Sequence, residues 1–308
     1  MKKMKLFGSL LLFAAAMSFT ACSDDDLSST SIFPDQKVED NKFDNWLSKN
    51  YVQPYNIDFK YRYSDKESDR NYNVIPAKYE NAVAIAKLMK YMWIDSYVEC
   101  VGKEFLCTYT PRVIQLTGSY KYDTNGSIVA GSADQGMKVM LYGVNDLDLD
   151  NIRVNTSDPY ESHGMKPMDL NYWYFHTMHH EFCHILTQTK NYSTDFQTIS
   201  AGGYHASDWV NVKDKDAAKE GFVSGYASGE YNEDFAETYA FYVTMSAEGW
   251  QKIIDQAGEE GAAIINQKLD IVRTYFAESW GIDIDKMREI LMRRSAEVTS
   301  LDLRSLDD

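Results

Sequence analysis

The sequence predicts an α+β domain in which a small mixed sheet packs against one helix and a mainly helical half follows. Strand-like patterns, which are rich in β-branched and aromatic residues, are concentrated before residue 143, as in 55–63, 112–117 and 137–142. From residue 171 onward, apolar residues recur at helical spacing. The order of these two patterns along the chain is typical of a sheet that is formed first and then covered by helices.

The individual elements follow from local signals. A short helix is predicted over residues 43–51, and a longer one begins at Ile75-Pro76 and runs through Tyr97. Asn125-Gly126 separates two short strand-like stretches and is typical of a hairpin turn. In the C-terminal half, apolar periodicity predicts three further helices, over residues 247–256, 259–279 and 284–297.

Residues 171–190 contain the sequence His180-Glu181-Phe182-Cys183-His184 on a predicted helix. Residues four apart on a helix lie about 40° apart around its axis and roughly 6 Å apart along it. His180 and His184 can therefore bind one metal ion, and Glu181 lies beside them as a general base for the metal-bound water. The H-E-x-x-H spacing thus predicts a zinc site on this helix.

Two histidines leave a catalytic zinc site incomplete, because such sites usually have three protein ligands. A second helix is predicted to begin near Asn232. Glu233 and Glu237 lie on one of its faces, and Phe235 and Tyr239 lie on the opposite, core-facing side. One glutamate would bind zinc, and the other would hold a ligand histidine in its orientation.

These motifs together carry a family resemblance. H-E-F-C-H is followed 49 positions later by E-D-F-A-E, with a tyrosine seven residues before the first glutamate. This arrangement resembles the gluzincin site of anthrax lethal factor and, more closely, a family of zinc-binding metallopeptidase lipoproteins of Gram-negative bacteria. The specific match covers roughly residues 137–245.

The resemblance implies a zincin-like fold, one zinc ion per chain and hydrolysis of peptide bonds. It also implies a role for each matching residue: His180, His184 and Glu233 as zinc ligands, Glu181 as general base, Tyr226 as the group that stabilises the developing oxyanion, and Glu237 as the residue that orients a ligand.

Three positions carry further expectations. Asp234 departs from the lethal-factor pattern and leaves open an alternative in which Asp234 is the third ligand, as in aspzincins. Helical geometry favours Glu233, because Asp234 lies about 100° further round the helix. His176, one turn before His180, could be a secondary metal contact or line the cleft, and cleft lining is favoured. His163, in a polar loop, is expected to be a surface histidine.

The N-terminus predicts export. Residues 1–21 combine three lysines with a largely apolar stretch, Leu6–Phe19, whose 14 residues are too few to span a bilayer. Phe19-Thr20-Ala21-Cys22 resembles a bacterial lipobox, which implies a lipidated Cys22 and a location at the outer membrane or cell surface. Residues 22–41 are polar and acidic and predict a flexible tether, which leaves residues 42–308 as the metallopeptidase domain.

Composition excludes some partners. Removing residues 1–21 takes away three lysines and no acidic residue, so the formal net charge of −15 becomes −18. This charge argues against nucleic acid or an anionic membrane surface as a partner. Cys100 and Cys107 could form a disulfide in an oxidising compartment, a question that the sequence leaves open, whereas Cys183 is expected to be packed.

The predicted function is therefore that of a zinc-dependent peptidase, a hydrolase that acts on a peptide or protein substrate and is anchored to a membrane through Cys22. The alternative is a surface binding lipoprotein that retains a metal site without useful catalysis. The aromatic content of 14% suits ligand stacking in such a protein. The intact Glu181 favours the enzyme.

Overall fold

The computed structural model describes residues 41–63, 73–123, 126–134 and 137–307, all within one unit of the chain, Asn41–Asp308. The strands in this part of the chain are β1 (Asp58–Lys60), β2 (Val113–Leu116), β3 (Lys121–Tyr122), β4 (Ile128–Val129), β5 (Gly131–Asp134) and β6 (Lys138–Leu141). The larger sheet has the order β1-β2-β6-β5. Its first three strands are parallel, and β5 runs antiparallel to β6 at the edge.

Helices form most of the remaining structure and dominate the C-terminal half. They are α1 (Lys42–Leu47), α2 (Gln53–Tyr55), α3 (Tyr79–Met89), α4 (Asp95–Val101), α5 (Lys103–Tyr109), α6 (Thr177–Thr189), α7 (Asp195–Ile199), α8 (Asp214–Lys219), α9 (Tyr231–Thr244), α10 (Ala247–Trp280) and α11 (Ile284–Glu297). Stretches of π-helix precede α2, α4 and α6, at Ser48–Val52, Lys90–Ile94 and Asn171–His176. The α+β class and the small mixed sheet predicted from the sequence are confirmed.

Helix α6 carries the H-E-x-x-H sequence and is fixed by its apolar face. Met178 and Phe182 are fully buried on this face. The Phe182 ring makes edge-to-face contacts with Trp93 and Tyr97, at centroid distances of 5.2 and 4.9 Å. Such contacts favour one arrangement of the rings over others, so the packing sets how α6 is rotated and which side chains it directs away from the core.

The edge strand β5 lies directly against α6 at Gly131. A Cβ atom at this position would lie 2.4 Å from Thr177 Cγ2 and 3.1 Å from the Met140 carbonyl oxygen. Glycine is therefore required for the strand to approach the helix this closely. The approach places the free edge of the sheet beside the residues of α6 that follow Thr177.

Some elements differ from the sequence prediction. The first strand is limited to Asp58–Lys60, because Gln53–Tyr55 is helical and Asn56 adopts a left-handed conformation with φ of 57°. Strand β5 and helix α5 were not predicted. The break expected between two C-terminal helices is confirmed, because Gly258 has φ of 69° and ψ of −171° inside α10.

Several expectations lie partly or wholly outside the described residues. These are the export signal, most of the tether and the hairpin residue Asn125. The strands on either side of that turn, β3 and β4, pair antiparallel. Cys100 and Cys107 are free thiols on separate helices. Among the described residues, no helix is both long enough and apolar enough to cross a membrane.

Candidate metal centre

Three side chains from two helices converge at one point. On α6, the Nε2 atoms of His180 and His184 lie 3.0 Å apart. From α9, Glu233 Oε2 lies 3.0 Å from His180 Nε2 and 3.3 Å from His184 Nε2. Donor atoms around a tetrahedral zinc ion, with bonds of about 2.0–2.1 Å, lie about 3.3 Å apart. The spacing and the donor types of these three residues therefore fit zinc.

Glu233 is held in the anionic form that a metal ligand needs. Burial would raise the pKa of its carboxyl, but hydrogen bonds to His180 and His184 outweigh burial and hold the pKa well below its ordinary value. Glu233 lies in the first turn of α9, where the helix dipole also favours a negative charge. Its position follows from the helical spacing expected from the sequence.

Asp234 is directed elsewhere. It is fully buried, and one of its carboxylate oxygens lies 2.7 Å from Lys268 Nζ and accepts a hydrogen bond of 3.0 Å from the Tyr204 hydroxyl. Lys268 is itself 1% exposed and also donates to the Gly221 carbonyl. Asp234 is thus engaged in a buried ion pair behind α9 and lies outside the group of converging donors.

Glu237 lies one turn after Glu233 and contacts two histidines. Its Oε1 is 2.8 Å from His180 Nδ1 and 2.7 Å from His176 Nε2. Burial acts to raise the pKa of Glu237, but the two histidines hold it well below its ordinary value. A carboxylate this close to Nδ1 favours the tautomer that is protonated there, which would leave Nε2 of His180 to bind a metal.

His176 differs from expectation. It does not line the cleft but is 7% exposed, behind His180, where it shares Glu237. Glu237 reaches both rings, so His176 and His180 share one carboxylate, and these three residues form a second group that could hold a metal. Its position four residues before His180 is a signal that could have indicated this contact.

His163 is also less exposed than expected. It is partly buried, and its ring stacks on Tyr172 at a centroid distance of 3.4 Å. Burial lowers the pKa of His163 to about 4.

Glu181 and Tyr226 face the open side of the converging donors. Both line a cleft of about 700 Å³ together with His180, His184 and Glu233. A Cβ atom at Gly131 would lie 3.7 Å from Glu181 Oε1, which places this carboxylate between the metal ligands and the edge strand. The Tyr226 ring lies 5.8 Å from the His180 ring. Burial of its hydroxyl and the nearby Glu233 carboxylate raise the pKa of Tyr226, so the phenol keeps its proton.

The structure thus brings together the six residues to which the family resemblance implies a role. It adds Ser224, whose hydroxyl donates a 2.7 Å hydrogen bond to Glu237 Oε2. A serine 13 residues before a glutamate has no local signature, so this contact had no signal in the sequence.

Comparison with known proteins agrees with the site. The model of a family described as "Putative zinc-binding metallo-peptidase" matches residues 36–285. A crystal structure from Bacteroides caccae, described in the same words, is 38% identical in sequence, with a TM-score of 0.70, and the match covers 90% of this chain and 100% of that one. No curated protein matches the chain. The chain belongs to this family.

Proposed function

We propose that the protein is a zinc-dependent peptidase in which His180, His184 and Glu233 bind the metal. The observation that carries the proposal is the convergence of these three donors at the floor of an open cleft, with Glu181 beside them. Zinc bound there would polarise the scissile carbonyl and lower the pKa of the attacking water toward about 7. A fourth position would remain open toward the cleft, as in catalytic rather than structural zinc sites.

Glu181 is the general base of the proposal. Its carboxylate lines the cleft next to both histidine ligands and is 8% exposed. It would take a proton from the attacking water and deliver it to the leaving amine as the C–N bond breaks. One carboxyl group can perform both transfers, because the oxygen of the attacking water and the nitrogen of the leaving amine are bonded to the same carbon in the tetrahedral intermediate.

Tyr226 is the oxyanion-stabilising group of the proposal. Its hydroxyl is protonated and faces the cleft beside Glu233. A phenol in this position can donate a hydrogen bond to the carbonyl oxygen as negative charge develops on it.

The edge strand β5 provides a place for the substrate backbone. It is the outer strand of the larger sheet, and Gly131 and Ser132 at its start line the cleft. An extended peptide added to this edge would pass Glu181 and the metal ligands. This arrangement supports a peptide substrate over a small-molecule one.

The test is digestion of an unbiased peptide mixture by purified residues 23–308 loaded with zinc, with Glu181→Gln as the control. The parent should cleave, and the variant should bind zinc equally while its kcat falls by about 10²–10⁴, the usual contribution of a general base. Equal turnover by the variant would refute the role of Glu181. Zinc binding by both without any cleavage would favour the binding lipoprotein over the peptidase.

We also propose that the protein is an exported lipoprotein held at the outer membrane or cell surface through Cys22. The lipobox-like sequence before Cys22 and the acidic tether after it support this location. In a Gram-negative host, the full chain should fractionate with membranes, and mass spectrometry should find its N-terminal peptide acylated at Cys22. Cys22→Ser should release a soluble form. Membrane association of that variant would refute the anchor.

A further inference from the structure

We propose that Ser224 is a positioning residue that couples the metal ligand His180 to the turn that carries Tyr226. The inference rests on the proposed function, because it concerns how two parts of that site are held together. Ser224 is not among the residues that line the cleft, and its hydroxyl bonds to Glu237 and to the Ala227 N–H, so it would act through Glu237 and the peptide that follows Tyr226.

The first half of the connection runs from Ser224 to the metal ligands. The Ser224 hydroxyl donates to Glu237 Oε2 at 2.7 Å, and the other oxygen of the same carboxylate lies 2.8 Å from His180 Nδ1. Ser224 and Glu237 are each 5% exposed. A carboxylate held at both oxygens by buried partners has little freedom to rotate, so Ser224 restrains the group that orients His180.

The second half runs from Ser224 to Tyr226. The Ser224 oxygen accepts a 3.0 Å hydrogen bond from the backbone N–H of Ala227, the residue after Tyr226. On the other side of Tyr226, the N–H of Gly225 donates to Asp214 Oδ1 at 2.8 Å. The backbone on both sides of Tyr226 is therefore fixed by a hydrogen bond. One of the two acceptors is the Ser224 hydroxyl, which also contacts Glu237.

Close packing makes this turn stiff. A Cβ atom at Gly225 would lie 2.2 Å from the Val212 carbonyl oxygen, so the turn presses against the preceding loop. The Tyr226 ring packs on Trp209 at a centroid distance of 4.9 Å. A small shift of Glu237 should therefore displace the Tyr226 backbone, because the closely packed turn cannot deform locally to accommodate it.

Ser228 supplies a matched control. It is a fully buried serine in the same turn, and its hydroxyl donates a 2.6 Å hydrogen bond to the Gly225 carbonyl. Its recorded hydrogen bonds stay within the turn and its neighbouring loop and do not reach Glu237. Ser224→Ala and Ser228→Ala thus each remove one buried hydroxyl, but only Ser224→Ala cuts the connection to the metal ligands.

The first measurement is zinc affinity, by competition with a chelator. Ser224→Ala should weaken zinc binding by about 10-fold, the low end of the usual effect of removing a hydrogen-bond partner of a metal ligand, because it acts one contact further out, and should lower kcat more than it changes KM. Ser228→Ala should leave zinc affinity unchanged. Equal zinc affinities in the two variants would overturn the proposal. The affinity measurement requires no turnover, so it stands even if the parent cleaves no peptide and the proposed function fails.

The second measurement begins with the parent and is then repeated on the two variants. Amide hydrogen exchange of the parent should slow over residues 225–229 when zinc is added, because zinc fixes His180, Glu237 and, through Ser224, the Ala227 amide. The same slowing should occur in Ser228→Ala and be lost in Ser224→Ala. Exchange in the parent that does not respond to zinc at this turn would overturn the coupling.

Discussion

At the scale of single residues, two neighbouring acids have different environments and should respond differently to substitution. Glu233→Ala should abolish stoichiometric zinc binding, because it removes one of three donors. Asp234→Ala should retain zinc but lower the free energy of unfolding by about 3–5 kcal/mol, because it leaves the buried Lys268 ammonium without its counter-charge. Metal analysis of the purified variants and urea unfolding of their metal-free forms would measure the two effects. Zinc loss in Asp234→Ala with retention in Glu233→Ala would transfer the ligand role to Asp234.

His163 should make stability depend on pH in a defined window. Its pKa is about 4 in the folded chain and near 6.5 when unfolded. Between these values the unfolded chain binds more protons, so the free energy of unfolding falls as pH decreases from 6.5 to 4, by on the order of 3 kcal/mol. His163→Gln should flatten this part of the pH profile in urea unfolding. A profile that is unchanged by the substitution would show that His163 is not held neutral by the fold.

At the scale of elements, the contact between β5 and α6 sets the distance from the proposed substrate-binding edge to Glu181. Gly131→Ala should push the strand away from Thr177 and lower kcat/KM by about 10-fold or more, since displacements near 1 Å are costly for reacting groups. Zinc affinity should remain, because β5 supplies no ligand. Gly164→Ala is the control, because a Cβ there meets only the Ser162 side chain at 3.9 Å. Equal activity of both variants would exclude β5 as the substrate-binding edge.

Elements with a strong local signal could be predicted, and elements that depend on distant partners could not. The helical spacing of His180 with His184 on α6, and of Glu233 with Glu237 on α9, is a local feature that the sequence displays. Strand β5 has the sequence Gly-Ser-Ala-Asp, which has no strand propensity and is extended because it pairs with β6. The π-helical stretch before α6 likewise has no sequence signature.

At the scale of the whole molecule, the site is assembled from two helices whose ligands are 49 positions apart in sequence. Each helix alone presents an ordinary periodic pattern. The contact between α6 and α9 at Glu233 could be predicted only because catalytic zinc sites usually need a third protein ligand and the motifs resemble a known family. The contact between Ser224 and Glu237 could not be predicted in this way, because the reaction does not require a serine at that position.

The cleft, like the chain as a whole, is rich in acidic side chains. Glu230, at the N-cap of α9, and Asp123 line it together with Glu181 and Glu233, and none of the described residues that line it is a lysine or arginine. Glu181 and Glu233 are assigned to the reaction and the metal. Glu230 is exposed and stands three residues before Glu233, so its charge acts close to the place where the substrate would lie in the proposed function.

Substrates with a basic side chain near the scissile bond should therefore be preferred. Between matched peptides that differ by lysine for glutamate, kcat/KM should favour lysine, and Glu230→Gln should reduce that preference by about two- to fivefold, the effect of one exposed ion pair worth up to roughly 1 kcal/mol. The preference should weaken as ionic strength rises, because exposed charges are screened.

Glu259→Gln makes the same charge change at an exposed position on α10 outside the cleft lining and should have no effect. If both variants keep the full preference, Glu230 does not contact the substrate. If the parent shows no preference at any salt concentration, the charge of the cleft does not select its substrates.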